Sequence, residues 1–242
     1  VQANGLTLLG EFRGEESGKG RYRILGDTFS LSPEDSARGV ITIGNPGSGK
    51  SSSIILPVIA DSMREGGSLV VADPQGELTP EVIKYAAFTG HLVIVHDPTN
   101  EKAARYNLAD GVNDVTTAQS IADVLVPSKG KGGDFFELSA KALLAACLMV
   151  YDNIGTINQR FGDMDQLVKD FNALDEDNDA KGLAGDFIYA AQTSPRQASG
   201  VLSTAKRKLD AWSAKKIRDS TAVSDFKPSI LMKKPAVIVI AC

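Results

Sequence analysis

Apolar and polar positions follow different periods in successive stretches of the chain. Over residues 1–39, short alternating runs are separated by glycine-rich turns, which predicts a small antiparallel β segment. The predicted strands of this segment are Leu6–Leu9, Arg21–Leu25 and Thr28–Leu31. From residue 40, continuous apolar runs alternate with helical patterns. The predicted strands there are Val40–Ile43, Ser68–Ala72 and His91–His96, and the predicted helices run from Lys50 to about Arg64 and over Pro80–Thr89. Such alternation is typical of a parallel sheet covered on both faces and predicts an α/β core.

From about Thr116 to Trp212 the period becomes helical and little strand pattern remains. The predicted helices are Thr116–Val126, Phe135–Tyr151, Met164–Leu174, Gly182–Thr193 and Arg196–Trp212. The apolar run Ala236–Ala241 then returns to a strand pattern, so the helical stretch is predicted to be an all-α subdomain inserted into the α/β core. The predicted boundaries are 1–115 for the β segment and core, 116–213 for the insertion, and 214–242 for the return to the core.

The segment GNPGSGKS matches Gly-x-x-x-x-Gly-Lys-Ser/Thr at every position and lies between a predicted strand and a predicted helix. In that context backbone N–H groups and the helix dipole bind a polyanion, and the glycines allow close phosphate approach. We expect Lys50 to reach the β- and γ-phosphates and Ser51 to help hold Mg²⁺. The expected nucleotide-binding residues are Gly44, Asn45, Pro46, Gly47, Ser48, Gly49, Lys50, Ser51 and Ser52. The sequence therefore predicts binding of a nucleoside triphosphate.

Two apolar strands end in aspartate, at Asp73 and at Asp97. Ligands of open α/β sheets collect at the carboxyl ends of strands, so Asp73 is a candidate catalytic residue and Mg²⁺ ligand, and Glu77 a candidate catalytic residue. The alternative is that Asp73-Pro74 and Asp97-Pro98 are turn-forming dipeptides that close the strands. We favour a position near the phosphates for Asp73 and the turn interpretation for Asp97.

Composition excludes several other classes of protein. A net charge of −4 argues against a uniformly basic nucleic-acid binder, and two cysteines provide neither a disulfide scaffold nor a zinc site. The two histidines, His91 and His96, are predicted to lie on opposite faces of a strand, which disfavours a metal pair. The longest apolar stretch, Ala142–Tyr151, is too short to span a bilayer. Because the chain starts without Met and ends within an apolar strand, we expect it to be a fragment whose membrane anchor, if any, is not included.

Charge is distributed unevenly over the helical stretch. Residues 110–196 carry 14 Asp or Glu and 7 Lys or Arg, a net charge of −7, whereas residues 200–234 carry a net charge of +6. The division predicts either two binding faces or a solvated surface. The basic residues around Trp212 are Lys206, Arg207, Lys208, Lys215, Lys216 and Arg218. They match a nucleic-acid contact or a solvated helix, and for Trp212 itself we favour packing on the subdomain core.

Taken in order, these motifs make the chain similar to the type IV secretion coupling proteins, the TraG/TraD-like ATPases of conjugation and effector export. The matching segments are GNPGSGKSSSIILPVI, GSLVVADPQGEL, HLVIVHDP, ARYNLAD, FFELSAKALLAACL, SGVLSTAKRKLDAW and SDFKPSILMKKPAVIVI. Two positions depart from the family pattern: Gln75 replaces a usual lysine, and no proline follows Leu108. The resemblance implies a P-loop NTPase fold of the RecA/FtsK kind that binds ATP and Mg²⁺. It also implies an all-α domain that recognises cargo. The family's Asp-Glu motif lies beyond residue 242, so hydrolysis by this chain alone is expected to be impaired.

The resemblance implies a motor that couples ATP hydrolysis to delivery of DNA, or of a relaxase or effector protein, into a secretion channel. It further implies homo-hexamers, contacts with channel components, and a position at the cytoplasmic face of the bacterial inner membrane. A DNA translocase of the FtsK/HerA kind is an alternative, although those motors lack a helical block at this point. A nucleotide-gated adaptor that recruits substrates without significant turnover is another. A small-molecule kinase has little support because no lid with clustered arginines is evident.

Overall fold

We describe the chain from a computed structural model, which covers residues 7–11, 28–31, 38–127 and 135–241. Two compact units make up the chain: Val1–His96 together with Lys227–Cys242, and Asp97–Phe226. Among the residues so described, no helix is long and apolar enough to cross a membrane.

The first unit contains an antiparallel pair and a parallel sheet. Strands β1 (Thr7–Glu11) and β2 (Thr28–Leu31) pair antiparallel, which confirms strands at these two predicted places. The predicted strand Arg21–Leu25 lies outside the described residues. The parallel sheet consists of β3 (Leu69–Asp73), β4 (Leu92–His96) and β5 (Ala236–Ala241) in the order β3-β5-β4. The returning strand at the end of the chain therefore lies at the centre of the sheet, as a buried apolar run predicts.

One face of this sheet is covered by two helices, α1 (Leu56–Arg64) and α2 (Thr79–Thr89). The buried core that joins them to the strands consists of Ile59, Met63, Val71, Val82, Ala86, Val237 and Val239. Helix α2 ends at Gly90, whose φ of 74° is the left-handed conformation that closes many helices. The predicted α/β core is therefore present, with these two helices and the three strands of the parallel sheet in the expected order along the chain.

The predicted strand Val40–Ile43 is wrong, because these residues form no strand in the structure. Ile41 and Ile43 are 87% and 92% exposed. A strand needs a neighbour to satisfy its backbone N–H and C=O groups, and no strand of the described residues pairs with this segment. An apolar run alone does not determine a strand when its pairing partner is missing.

The helix predicted from Lys50 begins with a wider turn. Ser51–Ile55 is π-helical, with the Leu56 N–H bonded to the Ser51 carbonyl, and α1 follows directly. Pro57 lies at the second position of α1, where a missing N–H costs little. Because proline has no backbone N–H, Pro57 donates no hydrogen bond to a carbonyl of the preceding turn.

The second unit is helical. Its helices are α3 (Val115–Leu125), α4 (Phe135–Val150), α5 (Ile154–Arg160), α6 (Met164–Asn172), α7 (Asp179–Thr193), α8 (Pro195–Lys208) and α9 (Lys215–Ser220). Helix α4 is central and packs against α3, α7 and α8 through a fully buried run that includes Leu143 and Leu144. All five predicted helices are confirmed. Helices α5 and α9 were not predicted, because each is too short for its apolar period to stand out.

Polar side chains start several of these helices. Asp114, Asn153, Asp163 and Asn178 each accept a hydrogen bond from a backbone N–H in the first turn of the helix that follows, at 2.9–3.0 Å. Such a cap satisfies one of the free N–H groups at a helix start. The acidic run at residues 175–179 therefore leads into α7, with Asn178 as the cap and Asp179 as the first helical residue.

The entry and exit segments of the helical unit are joined by side chains. Arg105 donates to both carboxyl oxygens of Asp225 at 2.8 and 3.0 Å, and its own backbone N–H and carbonyl bond the same residue. Beside this pair, the rings of Tyr106 and Phe226 stack with centroids 5.3 Å apart. These contacts join the two ends of the compact unit, which extends from Asp97 to Phe226.

Candidate nucleotide-binding site

The loop over Gly44–Ser51 is a turn built around two glycines. Gly47 and Gly49 have φ values of 77° and 79°, in the left-handed region that L side chains rarely adopt. The Ser48 N–H donates to the Asn45 carbonyl at 3.1 Å, and the Ser53 N–H donates to the Gly49 carbonyl at 2.8 Å. The chain therefore turns tightly before it enters the helix, which leads from the loop into α1.

Lys50 lies across this turn. Its Nζ donates to the carbonyls of Gly44 and Asn45 at 2.7 and 2.8 Å. A Cβ on Gly44 would lie 2.7 Å from the Ser48 hydroxyl, so a side chain at this position would force the Ser48 side chain to move. The lysine thus holds a positive charge within a concave loop of backbone groups, an arrangement that suits phosphate binding.

The loop leads into a helix that packs on β3. Only residues 65–68 join α1 to β3, and Ile59 and Met63 of α1 belong to one buried cluster with Val71 of β3. A helix connected so tightly to the strand it covers runs antiparallel to it. The N-terminal end of α1 therefore points toward the carboxyl edge of the sheet. This is the edge at which open α/β sheets bind their ligands.

Asp73 is buried and its carboxylate anchors the start of α2. Its Oδ2 accepts from the Leu78 N–H at 2.9 Å, the Thr79 N–H at 2.8 Å and the Thr79 hydroxyl at 2.6 Å. Burial opposes ionisation, but the hydrogen bonds from Thr79 and Leu78 outweigh it, and the pKa of Asp73 lies below its usual value. Asp73 is therefore a negative charge at a helix N-terminus, where it also meets the helix dipole.

The turn after Asp73 exposes Glu77. Gly76 takes a φ of 70° and its N–H donates to the Asp73 carbonyl at 3.1 Å, so both the backbone and the side chain of Asp73 hold this turn. The sequence motif predicts both acidic residues. It does not predict that Asp73 is buried and Glu77 exposed, because hydrogen bonds to a turn leave no periodic pattern in the sequence.

Asp97 forms a turn of its own. Its Oδ1 accepts from the Thr99 N–H at 2.8 Å and from the Thr99 hydroxyl at 2.7 Å. This is the turn interpretation that we favoured for the Asp97-Pro98 dipeptide, and it is confirmed.

His91 is a buried structural residue. Its Nε2 lies 3.1 Å from the Gly67 carbonyl and its Nδ1 lies 2.8 Å from the Thr89 hydroxyl. Because a carbonyl only accepts, we assign the proton to Nε2. No group of three or more His, Cys, Asp or Glu is arranged for a metal ion within the described part of the chain.

Trp212 packs on the core of the helical unit, as favoured. Its ring lies against the buried cluster that includes Leu209, and its Nε1 donates to the Thr221 hydroxyl at 3.0 Å. The surrounding basic residues divide into two groups. Lys208, Lys215 and Arg218 contact Glu137, Asp219 and the carbonyls of Trp212 and Ser213, respectively. Lys206, Arg207 and Lys216 form none of these contacts and are exposed, as Lys215 also is.

Comparison with known proteins gives one family and one fold. The family model described as "Type IV secretory system Conjugative DNA transfer" matches residues 10–242. Among solved structures, plasmid coupling protein TrwB in complex with ADP and Mg²⁺ is 16% identical with a TM-score of 0.51. TrwB with the non-hydrolysable ATP analogue ADPNP is 17% identical with a TM-score of 0.51. Each match covers 82% of this chain and 46% of the TrwB chain, so this chain spans less than half of that relative. A search of curated protein sequences finds no match.

Proposed function

The chain belongs to the type IV secretory system conjugative DNA transfer family, and from this premise we propose that it is the nucleotide-binding part of a coupling ATPase. In this proposal it binds ATP and Mg²⁺ and couples hydrolysis to the transfer of DNA or protein substrates through a type IV secretion channel. The observation that carries the proposal is the turn over Gly44–Ser51, which leads into α1 and holds Lys50 across it.

The proposed roles follow from the positions of the side chains. Lys50 exchanges its two backbone carbonyls for phosphate oxygens, and the backbone N–H groups after Gly47 bind the same phosphates. Ser51 would supply a hydroxyl ligand for Mg²⁺, which would screen charge on the transferred phosphoryl group when bound. Glu77, exposed on its turn, is the better placed of the two acids to act on Mg²⁺ or water. One oxygen of Asp73 is already committed to α2.

The helical unit is proposed to recognise cargo. It forms a compact unit with its own core, and it contains the acidic stretch 110–196 and six of the nine basic residues of the stretch 200–234. Homo-hexamers, contact with channel components and a position at the cytoplasmic face of the inner membrane belong to the same proposal. They rest on family membership.

The test of the proposal is Lys50→Ala in the full-length protein. Removing the phosphate-binding charge should reduce ATP turnover by about 10²-fold or more, the scale seen when one group that stabilises transition-state charge is lost. Lys102→Ala is the matched control, because Lys102 is an exposed lysine of the helical unit. The proposal would be overturned if the Lys50→Ala protein hydrolysed ATP and transferred substrate at wild-type rates. If the wild-type protein transferred substrate without hydrolysing ATP, a nucleotide-gated adaptor would be favoured.

A further inference from the structure

The helical unit contains a cavity of about 410 Å³ that has no part in the proposed nucleotide site. Three segments line it: residues 107–112, residues 148–152 at the end of α4, and residues 222–224. The volume lies within the range of pockets that hold a small ligand or a large side chain, and it is far larger than a site for a bare metal ion.

The walls of the cavity are tied together by Asn107, which is buried. Its Nδ2 donates to the Asp152 carbonyl at 2.6 Å, its Oδ1 accepts from the Ala109 N–H at 3.0 Å, and its own N–H donates to the Ser224 hydroxyl at 3.1 Å. The side chain and the backbone N–H of this one residue thereby connect the three lining segments, so the cavity is a built feature of the fold.

The lining is electronegative. Asp110 and Asp152 are exposed, and neither forms an ion pair with another residue of the described ranges. The cavity also meets the C-terminal end of α4, where the last carbonyls of a helix carry a partial negative charge. None of the described residues that line it is a lysine or an arginine. Arg160 is not a lining residue, but its guanidinium lies over the ring of the lining residue Tyr151, where its Nε is 3.4 Å from Asp170.

We propose that this cavity binds an arginine side chain of a partner polypeptide. A guanidinium presents five donors in one plane, which matches two carboxylates and a helix end placed around a common space. Val112 and the half-exposed Val223 provide apolar contact for the methylene stem. The inference rests on the proposed cargo recognition by the helical unit and names the chemical group that is recognised.

Titration of the ¹⁵N-labelled 242-residue chain with three probes tests the assignment. The probes are acetyl-Gly-Arg-Gly-amide, its citrulline analogue, and spermidine. The arginine peptide should shift the backbone amides of Gly111, Asp152 and Val223 in a saturable manner. The citrulline peptide has nearly the same shape without the charge and should bind at least about tenfold more weakly, because charge-assisted hydrogen bonds become neutral ones.

A double variant and a matched control complete the experiment. Asp110→Asn with Asp152→Asn should weaken arginine-peptide binding about tenfold, the combined effect expected for two partly solvated ion pairs. Asp177→Asn with Asp186→Asn removes two exposed carboxylates of the same unit away from the cavity and should leave binding unchanged. Equal binding of the citrulline peptide, an unaffected double variant, or shifts confined to other residues would overturn the proposal. Tighter binding of spermidine than of the peptide would assign the cavity to free polyamines and overturn it too. Nucleotide binding is measured separately, so its failure does not alter these outcomes.

Discussion

At the scale of single residues, the two acids that the sequence places at the nucleotide site differ in what they contact. Asp73 is buried and accepts hydrogen bonds from the start of α2, whereas Glu77 is exposed on the turn between Asp73 and α2. A carboxylate at a helix start stabilises the fold by bonding free N–H groups and by meeting the dipole. The contacts of Asp73 therefore stabilise the start of α2.

Substitution separates these two positions. Asp73→Ala should lower the free energy of unfolding by about 1 kcal/mol, the usual cost of losing a helix cap. Glu77→Gln should leave it unchanged, because an exposed side chain loses no buried contact. Urea denaturation of both variants measures this. Identical unfolding of wild type and Asp73→Ala would contradict the anchoring role of Asp73.

The pair Arg105–Asp225 gives a second prediction at this scale, on pH. The hydrogen bond and charge of Arg105 lower the pKa of Asp225 to about 2, below the value of about 3.9 for an unfolded aspartate. A depressed pKa contributes stability above the unfolded pKa, and this contribution disappears as pH falls from about 4 to about 2.

Thermal unfolding of Asp225→Asn measures the contribution. Because the pair is half-exposed, its melting temperature should fall only about 1–3 °C below wild type at pH 6. The difference should close as pH approaches 2. Asp186→Asn, an exposed carboxylate outside any described ion pair, is the control and should follow wild type throughout. A difference that stays constant from pH 6 to pH 2 would show that the Asp225 charge is not its cause.

At the scale of elements, periodicity predicts what is long and buried. The periodicity of apolar residues predicts the strands of the sheet and the five long helices, because the apolar face of each element is buried in the fold. Three features of the structure are not predicted correctly from the periodicity. The short helices α5 and α9 span too few residues to show a period, the Arg105–Asp225 contact joins residues far apart in sequence, and Val40–Ile43 has strand character without a strand partner. Of the candidate site, the sequence motif predicts the loop, but the bonds of Asp73 depend on how the turn folds.

Matched isoleucine substitutions test the correction at Val40–Ile43. Ile43→Ala should change the free energy of unfolding by less than about 0.5 kcal/mol, because Ile43 is 92% exposed. Ile238→Ala in the central strand β5 should cost about 2–5 kcal/mol, because Ile238 is 4% exposed. Chemical denaturation of the 242-residue chain gives both values. Comparable losses from the two substitutions would show that Ile43 is buried after all.

At the scale of the whole molecule, an α/β unit holds the candidate nucleotide site and a helical unit carries the proposed recognition surface. The exposed basic residues Lys206, Arg207 and Lys216 belong to the helical unit. If they contact DNA, replacing them with glutamine should make the salt dependence of DNA binding shallower, by about one unit of logarithmic slope per lost phosphate contact. Lys84, Lys102 and Lys169 replaced together are the control. An unchanged slope would leave protein cargo as the client of this unit.

The central claim is that the loop over Gly44–Ser51 binds nucleotide through Lys50, and ligand-induced stabilisation of the 242-residue chain tests it most directly. A ligand that binds only the folded chain raises its melting temperature as the ligand concentration increases. We predict that ATP with Mg²⁺ raises the melting temperature of the wild type and of Lys102→Ala, but not of Lys50→Ala. Equal stabilisation of Lys50→Ala and wild type, or none of the wild type at millimolar ATP, would contradict the account.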